Sequence, residues 1–194
     1  MMRHPNLASR EDSFLVVVDV QEAFWNLVWQ KERVLSAVQL LLQCAAPLRL
    51  PVIATEQNPD KVGATLPAVA ELLAGAPVIE KMTFSCRAEP AFAEAVDSLA
   101  RKTAILCGIE THVCILETAL DLAQAGYRVH VPADGVTSRG KINWRTALEN
   151  MRAAGVIITT VEALLFQLLE RAGTDEFRAV MRLVKSAALW ETQQ

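Results

Sequence analysis

The residues most able to do chemistry in this chain are a thiol, a carboxylate and an amine, and each follows an apolar run. Cys114 lies in TAILCGIETHVCILET, residues 103–118. That stretch reads as a short strand, a tight turn beginning at Gly108, and a helix with Cys114 near its first turn. A thiol there sits beside unsatisfied backbone N–H groups on the positive end of a helix, which favours the thiolate. Asp19 closes FLVVVDV, residues 14–20. A carboxylate at the end of a buried strand is costly without a partner or a task. Lys81 ends a third apolar segment and is the cation available to pair with it. Each residue also has a plainer reading: Asp19 as a loop cap, Lys81 as a solvated lysine, Cys114 as a small core residue.

The elements that must position these groups alternate along the chain. Strands are expected at residues 14–20, 51–55, 76–80, 103–107, 127–131 and 156–160. Helices are expected at 31–48, through 73, and at 89–100, 113–125, 141–154, 161–171 and 175–185. The helical stripes show apolar residues three and four apart, while the strands are short continuous apolar runs. Parallel strands need crossover connections, and those are right-handed. The expected fold class is therefore α/β: a three-layer α/β/α sandwich around a six-stranded parallel, doubly wound, Rossmann-like sheet. Ligands in such sheets bind outside the carboxyl ends of the strands. Asp19, Thr55, Lys81 and Gly108 fall at or just past such ends, so carboxylate, amine and thiol converge on one rim.

Composition narrows the function classes. With 194 residues, 52% of them hydrophobic, the chain can bury a sizeable core. We read residues 1–12 as a flexible arm and 13–194 as one domain. A formal net charge of -3 and the absence of a basic run argue against nucleic acid or an anionic membrane as partner. No apolar run approaches the roughly 18 residues of a membrane span, and MMRHPNLASRED lacks the apolar core of a signal peptide. The four cysteines have no CxxC spacing and are expected reduced, consistent with a cytoplasmic location.

Three motifs carry a resemblance. VDVQEAF at 18–24, EKMTFS at 80–85 and GIETHVCI at 108–115 together resemble the isochorismatase-like cysteine hydrolases. TEQNP at 55–59 and DGVTSR at 134–139 are similar, more narrowly, to the isochorismatase-domain-containing proteins of that superfamily. The likeness spans about residues 12–185. It implies a catalytic triad of Asp19, Lys81 and Cys114, with Asp19 as base and acid, Lys81 holding it ionised, and Cys114 as nucleophile of a covalent acyl-transfer cycle. It also implies an oxyanion site formed by the backbone N–H groups of Glu110 and Cys114, the former oriented by a cis Ile109–Glu110 peptide. Homo-oligomers are implied in the same way.

The departures from the family shape the expectation. Nicotinamidase-type relatives hold a metal with an Asp-x-His pair and a further His; here the corresponding loop reads Thr55, Glu56, Gln57, Asn58, a poor ligand set. No metal and no other cofactor is expected. The leading function is a metal-independent cysteine hydrolase of a small amide or related acyl compound. The alternative is a binding or scaffold protein that keeps the pocket without turnover. A nucleotide-dependent oxidoreductase is disfavoured because VDVQEAF stands where a GxGxxG loop would be.

The remaining candidates stay open between two roles. Phe24 suits a pocket wall with Phe84, and Trp25 does so less well; Phe24 and Trp25 could equally be core or subunit-contact aromatics. Gln57 and Asn58 either contact substrate or cap a turn. His112 should point away from Cys114, toward the surface or an interface. His130 reads as structural, and Cys86 as a partly buried bystander rather than a resolving thiol. The 134–139 loop is expected at the rim or between subunits, with Trp144 and Trp190 as contact residues.

Overall fold

The run at the start of the chain becomes β1 (Ser13–Val18), buried along its whole length. In this computed structural model, which describes residues 3–187, it sits at the centre of the sheet. Side chains alternate across a strand, so Leu15 and Val17 enter one core cluster while Phe14, Val16 and Val18 enter the other. Burial on both faces explains why no polar alternation interrupts the run.

The other strands are β2 (Val52–Gln57), β3 (Val78–Lys81), β4 (Thr103–Ile109), β5 (Arg128–Pro132), β6 (Val136–Thr137) and β7 (Ile157–Thr159). They run in the order β3-β2-β1-β4-β5-β7, and every pair is parallel. The six expected strands are all present. The seventh, β6, is only two residues long. It pairs with β4 at Gly108 and Ile109, beyond the point where β5 leaves off at Ile105. Its length and its place behind Gly135 hide it from any periodicity argument.

Helices cover both faces. On one lie α2 (Lys31–Leu48), α8 (Val161–Leu169) and α9 (Asp175–Ser186); on the other lie α5 (Pro90–Ser98), α6 (Leu116–Gln124) and α7 (Lys141–Ala153). Three single turns, α1 (Glu22–Trp25), α3 (Pro59–Val62) and α4 (Pro67–Ala70), shape the rim.

Two expectations are corrected. The segment before β1 is not a loose arm over residues 3–12: Ala8 is fully buried, its N–H donates to Gln167 Oε1 at 3.0 Å, and Arg3 Nη1 reaches Glu170 Oε1 at 2.7 Å. The end of α8 supplies the partners that sequence could not assign to Arg3. The turn after β4 does not begin at Gly108 either. The strand continues through Gly108, whose φ of +114° and approach to Val18 leave no room for a side chain, and ends at Ile109. Trp190 lies outside the described residues. Among them, no helix is long and apolar enough to cross a membrane.

Candidate active site

Strand β1 ends one residue before Asp19, which takes a left-handed φ of +49° as its N–H donates to Thr55 O at 3.1 Å. That turn sets the carboxylate into the sheet edge. Thr55 Oγ1, in β2 opposite Val18, donates to Asp19 Oδ1 at 2.7 Å. Lys81, the last residue of β3, places Nζ 2.8 Å from Asp19 Oδ2 and 3.7 Å from Cys114 Sγ. The ammonium also donates to Gln57 Oε1 at 2.8 Å and to the carbonyls of Thr83 and Phe84 at 3.1 and 3.3 Å. Asp19 and Lys81 are thus buried as a pair, with Oδ1 bonded to Thr55, Oδ2 against the ammonium, and the ammonium's donors met.

Cys114 arrives by a different route. After a cis Ile109–Glu110 peptide the chain forms a π-helical turn, Thr111–Ile115, that leads into α6. Glu110 O accepts from Val113 N at 3.1 Å and from Ile115 N at 3.2 Å, the residues on either side of Cys114. Such turns are rare and recur at functional sites. The thiol is 7% exposed and opens on a cavity, whereas Cys44, Cys86 and Cys107 are all 0% exposed.

The electrostatics revise the expected thiolate. Burial pushes the Cys114 thiol up first, and the Asp19 carboxylate adds to it; Lys81 pulls the other way without prevailing. The resting site is therefore a thiol beside a carboxylate. For Lys81 burial favours the neutral amine, but the Asp19 carboxylate beside it favours the ammonium, and the net shift is upward. Cys86 is also pushed up, to about 11, by burial and then by Asp19. All four cysteines are free, and Cys86 is held by Thr118 Oγ1, which accepts from its N–H at 2.8 Å.

The cavity holds about 210 Å³ and is walled largely by apolar side chains. Phe24, Gln57 and Phe84 all line it, along with Asp19, Glu110 and Cys114. Trp25 instead turns into the core. His112 points away from the thiol, its Nδ1 3.0 Å from Ser138 Oγ and 3.4 Å from Glu110 Oε2. His130 is fully buried with neither ring nitrogen partnered, and Trp144 packs on Trp29 with centroids 5.4 Å apart. Among the described residues, no three His, Cys, Asp or Glu side chains are grouped so as to hold a metal ion.

Three contributors escaped the sequence reading. Thr55 was placed on the rim but not as the donor to Asp19, although a hydroxyl closing an apolar strand is a signal. Gln21, wholly buried, donates to Gln57 O and Gly63 O and accepts from Gln57 N, stitching the pocket loop to the end of β1. Arg139 lines the cavity with its Nε 2.8 Å from Glu110 Oε1. Neither Gln21 nor Arg139 shows in periodicity.

Residues 13–163 match the model of the isochorismatase domain. The chain belongs to the isochorismatase family. Within it, the chain is 40% identical over 177 residues to the secreted isochorismatase effector Isc1 of Phytophthora sojae, covering 89% of this chain and 84% of that one. It is 36% identical over 191 residues to isochorismatase domain-containing protein 2 of Xenopus laevis, covering 96% and 90%. The structure described as MAR1 ribonuclease from Caenorhabditis elegans superposes with a TM-score of 0.87 at 34% identity, covering 93% of each chain. The likeness to that structure extends over nearly the whole chain and includes the layered sheet.

Proposed function

We propose that this isochorismatase-family chain is a metal-independent cysteine hydrolase that cleaves a small amide, or a related acyl compound, through a thioester on Cys114. One observation carries the reading: a single buried ammonium, Lys81, touches both the Asp19 carboxylate and the Cys114 sulfur, at 2.8 and 3.7 Å.

The chemistry follows from a resting thiol beside a carboxylate. Asp19 takes the thiol proton as Sγ bonds to the acyl carbon, and the carbonyl electrons move onto oxygen. The N–H groups of Glu110 and Cys114 receive that oxyanion; Cys114, in a first helical turn, belongs to the donors without an intrahelical acceptor. Collapse breaks the C–N bond, and the amine leaves with the proton from Asp19. Water then attacks the thioester, gives its proton to Asp19, and the acid departs as Sγ is reprotonated. Lys81 stays charged throughout and keeps Asp19 aimed at the sulfur. A cavity of about 210 Å³ suits a small substrate.

The reading extends to context. Four free cysteines support a reducing compartment such as the cytoplasm, in contrast to the relative named a secreted effector. Residues 13–194 act as one domain, and assembly into a homo-oligomer is part of the proposal. RNA, suggested by the worm relative's name, fits poorly: the chain carries a net charge of -3, and the cavity is small and apolar-walled.

A panel of small amides assayed for ammonia release, with an RNA oligonucleotide alongside, tests the reading. Turnover of at least one amide that vanishes in Cys114→Ala is the expected result. RNA cleavage that survives in Cys114→Ala, with every amide inert, would overturn it.

A further inference from the structure

Among the described residues, one cation faces the cavity with room to bind a ligand. Lys81 is enclosed, and its ammonium is already shared among Asp19, Gln57 and two carbonyls. Arg139 is the one cationic side chain among those lining the cavity, and it is 60% exposed. Glu110 Oε1 approaches its Nε, on one edge of the guanidinium, and is its only carboxylate partner among the described residues. Glu110 Oε2 lies 3.4 Å from His112 Nδ1, which is 3.0 Å from Ser138 Oγ. A guanidinium presents its donors as a rigid fork, so anchoring Nε orients the opposite Nη edge without occupying it.

A counter-ion serving only to neutralise Glu110 would be enclosed with it, as Lys81 is enclosed with Asp19. Arg139 is open instead, beside walls of Phe24, Phe84, Ile109 and Val113 that offer a charged ligand nothing.

We infer that Arg139 selects the substrate: the compound hydrolysed carries a carboxylate, received bidentately on the Nη edge of Arg139 while its acyl carbon lies at Cys114 Sγ. The inference rests on the reading of Cys114 as nucleophile. Half-amides of short dicarboxylic acids are the substrate class that fits both the cation and the small cavity.

Iodoacetate and iodoacetamide test this without knowledge of the substrate, because one carries a carboxylate where the other carries a carboxamide. With either, Sγ bonds to the methylene carbon, iodide leaves and the thiol proton passes to Asp19. Second-order alkylation rates at Cys114, read by peptide mass spectrometry, are compared with those of glutathione. The ratio of iodoacetate to iodoacetamide rate should exceed the glutathione ratio about tenfold, fall about tenfold in Arg139→Gln, and partly return in Arg139→Lys. The neutral reagent reports on the fold of each variant. A wild-type ratio equal to that of glutathione, or one unmoved in Arg139→Gln, overturns the inference and leaves the nucleophile standing. Failure of both reagents to modify Cys114 in the folded protein overturns the nucleophile reading and this inference with it.

Discussion

Lys81 Nζ lies 2.8 Å from Asp19 Oδ2, and the side chains of both are at most 2% exposed. An ion pair taken that far out of water tolerates the loss of neither partner. Lys81→Met should lower stability by about 3–5 kcal/mol, because it strands a buried carboxylate. It should also cut turnover about a hundredfold or more. Because the folded ammonium holds its proton more tightly than the unfolded one, its contribution is complete below about pH 10 and fades only as pH rises further. Urea unfolding of the two proteins at neutral pH checks the magnitude; a difference under about 1 kcal/mol would count against the pair.

The thiol at Cys114 should behave as a protonated one. Burial and Asp19 raise its pKa, so iodoacetamide labelling should keep accelerating with pH past the ordinary free value of about 8.5. Its selectivity comes from access instead, since the other three cysteines are sealed and should label only on unfolding. A rate that levels off below pH 7 would mark a thiolate and contradict this description.

His130 predicts an acid sensitivity remote from the site. Burial, with Arg128 nearby, lowers its pKa to about 4, while in the unfolded chain it titrates near 6.5. Between these values the unfolded state binds more protons, so stability must fall as pH drops through the window, by up to about 1.4 kcal/mol per pH unit. Denaturation at several pH values should show that slope in the wild type and a shallower one in His130→Leu. Equal slopes would assign the acid sensitivity elsewhere.

Gly108 is where β4 meets β1 too closely for any side chain. A Cβ there would stand 2.1 Å from Val18 O, at a φ of +114°. Gly108→Ala should therefore cost about 3 kcal/mol or more, read as a fall in Tm or as loss of soluble protein. A variant melting within about 2 °C of the wild type would refute the contact.

Much of this was legible because the central strands are doubly buried. FLVVVDV and TAILCG are apolar without alternation, and that pattern alone argues for a parallel sheet with Asp19 and Cys114 on its rim. Lys81 was legible as a rim cation because it closes a strand. What escaped depends on contacts between distant segments. β6 is two residues whose only reason for being a strand is the free upper edge of β4. Arg3 and Ala8 find partners more than 150 positions away on α8. Gln21 acts through backbone groups of a loop that no spacing rule links to it. At Cys114 the helix start and nearby lysine that favour a thiolate are visible in sequence, whereas the burial that pushes its pKa up is not.

The most direct test is to trap the covalent intermediate. With the amide that turns over best, rapid acid quenching followed by intact-mass and peptide analysis should find the acyl group, without its amine, on the peptide carrying Cys114, formed together with an equivalent of ammonia. An amide hydrolysed at an undiminished rate by Cys114→Ala, with no adduct at any time in the wild type, would contradict the mechanism at its centre.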